Sequence, residues 1–128
     1  MPILGALPPA GLRKGQTVEL RLESKSEGDW TVLEVGGEVD LSTAASLRAR
    51  IEQIVHGGAR RLVVDLNGVG FMDSSGLSVL VAGMKSMREA GGEFTLACRG
   101  ESILKVFSVT GLDRVFAISG SVTEATGA

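Results

Sequence analysis

The chain has 128 residues, of which 44% are hydrophobic and 22% are charged, and its formal net charge is -2. This size and composition predict one globular domain that is stable without a disulfide or a metal ion, and a single cysteine with a single histidine excludes both an internal disulfide and a zinc site made of four such side chains. Because the sequence has no basic run and no apolar run of about 18 to 20 residues, we expect neither direct nucleic-acid binding nor a membrane span, and a cytoplasmic location fits best.

The N-terminal residues come first in chain order. All three prolines lie among the first nine residues, and residues 1–16 show neither a helical nor a strand period. We therefore predict a flexible leader over residues 1–16, followed by a folded domain over residues 17–126.

A β-hairpin is predicted at the start of the domain. Val18, Leu20 and Leu22 alternate with charged residues, a pattern typical of an edge strand with one face in water. The polar segment Ser24–Asp29 contains a glycine and predicts a turn. The second predicted strand is Trp30–Val35, and its tryptophan is expected to pack rather than to recognise a partner.

An amphipathic helix and a buried strand are predicted next. The apolar residues that recur at helical spacing are Leu47, Ile51, Ile54 and Val55. Ser42 or Thr43 can cap the start of this helix, and Gly57-Gly58 ends it. The apolar run Leu62–Val64 lies between turn signals and predicts a strand that is buried on both faces of a sheet.

A second helix and several short elements complete the predicted fold. The helix begins at Asp73 or Ser74, and its apolar residues at helical spacing are Leu77, Leu80, Val81, Met84 and Met87. The pattern then indicates a strand at Phe94, Leu96 and Cys98, a helix at Ile103, Leu104 and Phe107 that ends at Gly111, and a last strand at Val115, Phe116 and Ile118. Ser121 and Glu124 have the spacing of a capping box, which predicts a final turn of helix. This alternation predicts an α/β fold with a largely parallel or mixed sheet.

Ser74 is the residue whose position points to chemistry. It lies where a buried strand and a short loop pass into a helix. The first turn of a helix offers unpaired N–H groups and the positive end of the helix dipole, which favour a phosphate by up to about 2 kcal/mol. Asp73 or Ser74 is also suited to be an ordinary helix cap. The residues alone leave both interpretations open.

Three stretches of the chain resemble, in the same order, the signature motifs of the anti-sigma factor antagonist family, the single-domain STAS proteins. They are Gly37-Glu38-Val39-Asp40 with Ser42-Thr43-Ala44, then Phe71-Met72-Asp73-Ser74-Ser75-Gly76-Leu77, then Phe107-Ser108-Val109-Thr110-Gly111-Leu112. The resemblance runs from about Thr17 to Ala125. It implies the STAS fold, which is a mixed sheet of about four to five strands flanked by helices and opened by a hairpin.

The resemblance also implies a function. Ser74 matches the family's phosphoacceptor, so it would be phosphorylated by a partner that is both an anti-sigma factor and a serine kinase. Only the unphosphorylated form would hold that partner and release a sigma factor, and a phosphatase would reset the switch. The residues implied in partner binding are Asp40, Ser42, Thr43, Asp73, Ser75 and Gly76. For the first three of these, a turn with a helix cap is the alternative interpretation.

Other functions fit the sequence less well. A serine hydrolase needs a base beside its nucleophile, and His56 lies at a helix end, where the helix dipole already accounts for it. The chain has neither a G-x-S-x-G elbow nor a Walker-type motif, so we expect no catalytic residue and no cofactor. A ligand-sensing or scaffold STAS module of a stress-signalling complex is the remaining alternative. Cys98 is expected to be a core thiol rather than a redox residue.

Overall fold

The computed structural model describes residues 20–127. The strands are β1 (Arg21–Glu27), β2 (Trp30–Val39), β3 (Arg61–Met72), β4 (Glu93–Ala97) and β5 (Ala117–Ser119). The helices are α1 (Ala44–His56), α2 (Ser74–Glu89), α3 (Glu101–Thr110) and α4 (Val122–Thr126), with a short 3-10 helix at Leu112–Arg114. The predicted leader over residues 1–16 and the first residues of the predicted domain, 17–19, lie outside the described residues.

The five strands form one sheet in the order β1-β2-β3-β4-β5. β1 is antiparallel to β2, and each later strand is parallel to the strand before it. This is the mixed α/β sheet, opened by a hairpin, that the sequence predicts. Each parallel pair is joined by a crossover that contains a helix, as parallel pairing requires.

One face of the sheet carries the main core. Its largest fully buried side chains are Phe107, Leu33, Leu47, Ile51, Leu62, Leu66, Leu80, Met87 and Leu96. These residues come from β2, β3 and β4 and from α1, α2 and α3, so the three longer helices cover this face. The helical periodicity read from the sequence therefore identifies the buried faces of these helices.

The opposite face is covered in part by α4. The buried residues there are Val32, Val63 and Ala97, with Trp30, Val122 and Ala125 packed against them. Leu62, Val63 and Val64 are each 0% exposed, because the first and third face the main core while Val63 faces this second cluster. The prediction of a doubly buried strand is confirmed. Trp30 packs as predicted, and the Arg61 guanidinium lies 5.7 Å from the centre of its ring.

The predicted turn at Ser24–Asp29 is wrong over its first residues. Ser24–Glu27 continue β1 and pair with β2, and the turn is Gly28-Asp29, where the glycine adopts φ 61. Polar residues are tolerated in this strand because its side chains beyond Leu22 lie mainly in water. Backbone pairing with β2, rather than burial, holds this part of β1 in place.

β2 is longer than predicted, since it extends to Val39 instead of ending at Val35. The pairing with β3 is irregular on both sides of Gly36-Gly37, and Gly37 has φ 108. The glycine pair therefore forms a bulge within the strand rather than a turn after it. As a result, β2 carries the first motif as far as the edge of the sheet.

Two predictions about the last strands need correction. β5 is Ala117–Ser119, so Val115 and Phe116 precede it; Phe116 is nevertheless buried, with its ring 6.1 Å from that of Phe94 and 5.7 Å from that of Phe107. The apolar pattern therefore indicated the burial of Phe116, but not the residues that adopt strand conformation. β4 does not alternate between wet and dry residues, because α4 also covers its second face, and Cys98 lies just after its end.

The ends of the last two helices follow the prediction. α3 ends at Gly111, which has φ 79. The Ser121 hydroxyl accepts a hydrogen bond from the Glu124 N–H at 3.1 Å, and the Glu124 carboxylate accepts one from the Gly120 N–H at 2.9 Å. Over residues 20–127, none of the helices combines the length and apolarity that crossing a membrane requires.

Candidate functional site

The two predicted groups of site residues follow neighbouring strands. β2 ends at Val39 and β3 ends at Met72, and these residues are partners in the parallel register. The Asp73 N–H donates a hydrogen bond to the Val39 carbonyl at 3.1 Å. The loop that contains Asp40 and the start of α2 therefore meet at the carboxyl edge of the sheet.

Asp73 is the N-cap of α2. Its backbone is extended, and its carboxylate accepts a hydrogen bond from the Ser75 N–H at 2.8 Å. Its carbonyl accepts hydrogen bonds from the N–H groups of Gly76 and Leu77 at 3.1 and 3.2 Å. The structure thus decides between the two candidate caps: Asp73 closes the helix start, and the Ser74 hydroxyl is not needed for this purpose.

Ser74 is the first residue of α2, and its side chain is exposed. Its hydroxyl forms no hydrogen bond with any other residue in 20–127. A phosphate on its Oγ would lie at the positive end of a 16-residue helix, where it is favoured by up to about 2 kcal/mol. The hydroxyl is therefore accessible for modification at a point that stabilises the product.

Ser75 and Gly76 are less accessible than Ser74. Ser75 is half-buried, and Gly76 is buried where α2 crosses the ends of β2 and β3. A Cβ at Gly76 would lie 2.7 Å from Val39 Cγ1 and 2.8 Å from Met72 Cγ. Only a glycine lets α2 approach the sheet this closely. Gly76 therefore sets the distance between the first turn of α2 and the ends of β2 and β3.

Gly76→Ala is expected to lower the free energy of unfolding by about 1 to 2 kcal/mol. Two buried side chains must move to admit the new methyl group, and the better helix propensity of alanine offsets at most about 1 kcal/mol of that cost. Urea denaturation measures the change. Ser78→Ala on the exposed side of the same helix is the control and is expected to stay within about 0.5 kcal/mol. An equal stability of both variants would mean that the contact below Gly76 opens freely.

Asp40 organises the loop between β2 and α1. Its Oδ1 accepts hydrogen bonds from the Ser42 N–H at 2.9 Å, the Ser42 hydroxyl at 2.7 Å and the Thr43 N–H at 3.2 Å. The Thr43 hydroxyl accepts from the Asp40 N–H at 3.0 Å and donates to the Glu38 carbonyl at 2.8 Å. Thr43 stands at the N-cap position of α1, but its side chain makes no capping bond. The predicted cap position is confirmed at Thr43, but neither hydroxyl makes a capping bond, because both are engaged within the loop.

The hydrogen bond from the Ser42 hydroxyl is the main reason why the pKa of Asp40 lies below its ordinary value, and the N–H groups of Ser42 and Thr43 add to the effect. A carboxyl group whose pKa is lowered by folding stabilises the fold above its ordinary pKa, and this contribution is lost as the pH falls through the folded-state pKa. The charged form of Asp40 therefore holds the loop together at neutral pH.

Ser42→Ala is expected to raise the pKa of Asp40 toward its ordinary value, because it removes the largest stabilising hydrogen bond. Titration of the Asp40 side-chain carboxyl carbon by NMR measures this change. Ser46→Ala, at an exposed position on α1, is the control and should leave the titration unchanged. Identical titrations of the two variants would assign the effect to the backbone N–H groups of Ser42 and Thr43 together with the Thr43 hydroxyl.

Two exposed apolar side chains flank the site and were not singled out from the sequence. Leu41 is 82% exposed in the loop after Asp40, and Phe71 is 47% exposed just before Asp73. A shallow groove of about 420 Å³ runs along α2 and is lined by Ser74, Leu77, Ser78, Val81, Ala82, Lys85 and Leu112. The position of Leu41 and Phe71 next to the carboxylates of the motifs could have identified them from the sequence. Such a surface suits contact with another protein.

His56 and Cys98 take no part in this site. His56 is the last residue of α1, a helix of 13 residues that begins beside the Asp40 loop and spans about 20 Å. It therefore lies at the far end of the sheet from Ser74. Cys98 is 3% exposed, and burial raises the pKa of its thiol, as expected of a core residue. Among the residues that the structure describes, no cluster of three or more His, Cys, Asp or Glu could hold a metal ion.

Comparison with known proteins identifies the family. A model described as the STAS domain matches residues 21–125. The anti-sigma-F factor antagonist RsfB of Mycobacterium tuberculosis is 34% identical over 94 residues, which cover 73% of this chain and 76% of RsfB. An anti-sigma factor antagonist from Mycobacterium paratuberculosis superposes with a TM-score of 0.79 at 28% identity, over 85% of this chain and 92% of that one. The Bacillus cell fate determinant SpoIIAA in its phosphorylated form gives a TM-score of 0.64 at 25% identity, over 84% and 96%. The chain therefore belongs to the STAS domain family of anti-sigma factor antagonists.

Proposed function

We propose that this protein is an anti-sigma factor antagonist that is switched by phosphorylation of Ser74. In its unphosphorylated form it binds an anti-sigma factor that is also a serine kinase, and this binding releases a sigma factor. The observation that carries the proposal is the exposed Ser74 hydroxyl, free of hydrogen bonds to described residues, at a helix start that Asp73 already caps. The similarity to RsfB and to phosphorylated SpoIIAA supports it.

Charge explains how a phosphate would switch binding off. Residues 38–43 and 70–78 contain the carboxylates of Glu38, Asp40 and Asp73 and neither Lys nor Arg. A phosphoserine adds a further charge of about -1.5 to -2. No cation within these two segments can neutralise it, so binding would have to desolvate an unpaired charge or place it against the partner.

Apolar contact provides the complementary attraction. Leu41 and Phe71 lie on the two chain segments that meet at the site, and both expose side chains that a partner could bury. Large side chains at the centre of an interface commonly supply most of the binding energy, while the polar rim sets specificity. The Asp40 loop and Asp73 then hold these side chains in place, while Ser75 and the buried Gly76 fix the first turn of α2 from which Ser74 projects.

The cycle also requires an enzyme that removes the phosphate. A phosphatase that restores the Ser74 hydroxyl returns the protein to its binding form. The protein itself is the substrate of both enzymes and performs no catalysis in this scheme. The cycle runs in the cytoplasm, where the kinase finds ATP and the sigma factor finds its polymerase.

Incubation with the cognate anti-sigma factor and ATP is the direct test. Mass spectrometry is expected to find one phosphate on Ser74, none on the Ser74→Ala variant, and one on the Ser75→Ala variant, which retains the acceptor. An unchanged mass, or a phosphate confined to another segment, would contradict the proposal. A ligand-sensing module would instead gain thermal stability from a small molecule with no kinase present.

A further inference from the structure

The outer edge of β1 pairs with no other strand of the described chain. β1 is the first strand in the sheet order and contacts β2 on its inner side. The hairpin closes through the two-residue turn Gly28-Asp29, so Glu27 and Trp30 form the hydrogen-bonded pair next to the turn. Because hydrogen bonding alternates along an antiparallel pair, every second residue of β1 directs its backbone groups outward. These outward-directed residues are Leu22, Ser24 and Ser26.

A contact from α1 agrees with this alternation. Arg50 Nη1 donates to the Leu22 carbonyl at 3.4 Å and to the Ser24 hydroxyl at 3.3 Å. The Leu22 carbonyl is thus directed away from β2, as the parity of the hairpin requires. The edge offers a row of backbone donors and acceptors that another strand can extend.

We propose that β1 pairs antiparallel with β1 of a second copy of this chain, centred on Ser24. In this register Ser24 faces Ser24 of the second copy as a hydrogen-bonded pair. Arg21 faces Glu27 and Glu23 faces Lys25, and the two-fold symmetry produces each of these pairs twice. They occupy the non-hydrogen-bonded positions, where facing side chains come closest, so four pairs of opposite charge line the junction.

Neighbouring registers with the same hydrogen-bonding parity are disfavoured. Centring on Glu23 places that residue opposite itself and Arg21 opposite Lys25. Centring on Lys25 places that residue opposite itself and Glu23 opposite Glu27. Like charges that face each other across a strand pair are destabilising. The sequence of β1 is therefore self-complementary in the register centred on Ser24.

The Arg21 guanidinium lies over Gly36 of β2 and has to turn outward for the proposed pair, whereas the other contacts of β1 are compatible with it as they stand. The Lys25 ammonium lies 3.2 Å from the Glu34 carboxylate and 3.6 Å from that of Glu27, but its side chain is still 51% exposed and can reach a further carboxylate. The Leu22 carbonyl has a second lone pair besides the one that faces Arg50. β2 and β3 separate this edge from the start of α2, so the dimer would present two Ser74 sites. The inference goes beyond the proposed function and does not depend on it.

Sedimentation of the full chain with a charge-reversal series tests the pairing. The unmodified chain is expected to sediment as a dimer, whereas Glu23→Lys and Lys25→Glu each create two like-charge pairs and should raise the dimer Kd at least tenfold. A mixture of the two variants should recover the dimer, because one copy then carries lysine at both positions and the other glutamate. Circular dichroism verifies that each variant is folded. A monomeric unmodified chain, or a mixture that behaves like its components, would overturn the proposal.

A cysteine pair tests the register. Facing residues of a hydrogen-bonded pair lie about 5.5 Å apart between Cα atoms, which a disulfide can bridge. Ser24→Cys is expected to give a covalent dimer on mild oxidation, while Ser26→Cys, which would face Leu22 of the second copy, should not. The natural Cys98 is buried and does not interfere. Equal cross-linking of the two variants, or none with Ser24→Cys, would contradict the Ser24 register.

Discussion

Ser74→Asp is expected to weaken binding of the anti-sigma factor by about thirtyfold or more, while Ser74→Ala should bind it as tightly as the unmodified protein. The aspartate adds a carboxylate to an edge that already carries those of Glu38, Asp40 and Asp73. Placing a further unpaired or like charge in an interface costs about 2 kcal/mol or more, which corresponds to that factor. The alanine removes only a hydroxyl that makes no hydrogen bond with described residues.

Isothermal titration calorimetry with the partner measures both affinities. Ser108→Asp introduces the same charge at an exposed position on α3 and serves as the matched control, with an affinity close to that of the unmodified chain. The difference between Ser74→Asp and Ser74→Ala should shrink as salt is added, because charges at an exposed edge are screened. Equal affinities of the two Ser74 variants would exclude the electrostatic mechanism, even if Ser74 is phosphorylated.

Phe107→Ala is expected to lower the free energy of unfolding by about 3 to 5 kcal/mol, which is the usual cost of removing a fully buried aromatic side chain. Phe107 is 0% exposed, and its ring meets that of Phe116 edge to face at 5.7 Å and 84°. It is the first residue of the third motif, and its burial fixes α3 against the sheet. The loss would be a large part of the stability of a domain of this size.

Urea denaturation followed by circular dichroism measures this loss. Ser108→Ala changes the next residue on the exposed side of α3 and is expected to stay within about 0.5 kcal/mol of the unmodified chain. Phe107→Leu should fall between the two, since it retains part of the buried volume. A loss for Phe107→Ala no larger than that for Ser108→Ala would mean that α3 does not depend on this anchor.

The sequence correctly predicted the elements in which the local spacing of apolar residues reveals the buried face. In the run Leu62–Val64 and along α1 and α2, the local spacing of apolar residues is enough to indicate which side chains are buried. The last two strands were predicted less accurately, because the burial of their residues depends on elements that are distant in the sequence. Ala97 is dry because Val122 and Ala125 of α4 pack in the same cluster, and Phe116 is buried because it packs on Phe107 rather than because it lies in a strand.

The site was predicted in outline by local chemistry and in detail by resemblance. Local patterns placed a helix start at Asp73 or Ser74 but could not choose between these two possible caps. The choice depends on which of the two residues keeps the extended backbone conformation of the preceding strand. The extended backbone of Asp73 and its bond to the Ser75 N–H settle it. The roles of Ser42 and Thr43 within the loop depend on where β2 ends, and the prediction ended this strand at Val35 instead of Val39. That Ser74 accepts a phosphate remains a prediction.

The order of the strands also bears on how the chain folds. Each strand of the sheet pairs with the strand that precedes it in the sequence, so no pairing has to wait for a segment synthesised much later. The folding nucleus can grow from the hairpin in the direction of synthesis, one crossover at a time. Every residue proposed to contact the kinase, from Asp40 to Gly76, precedes the end of α2 at Glu89, whereas α4, which covers part of the second face, leaves the ribosome later.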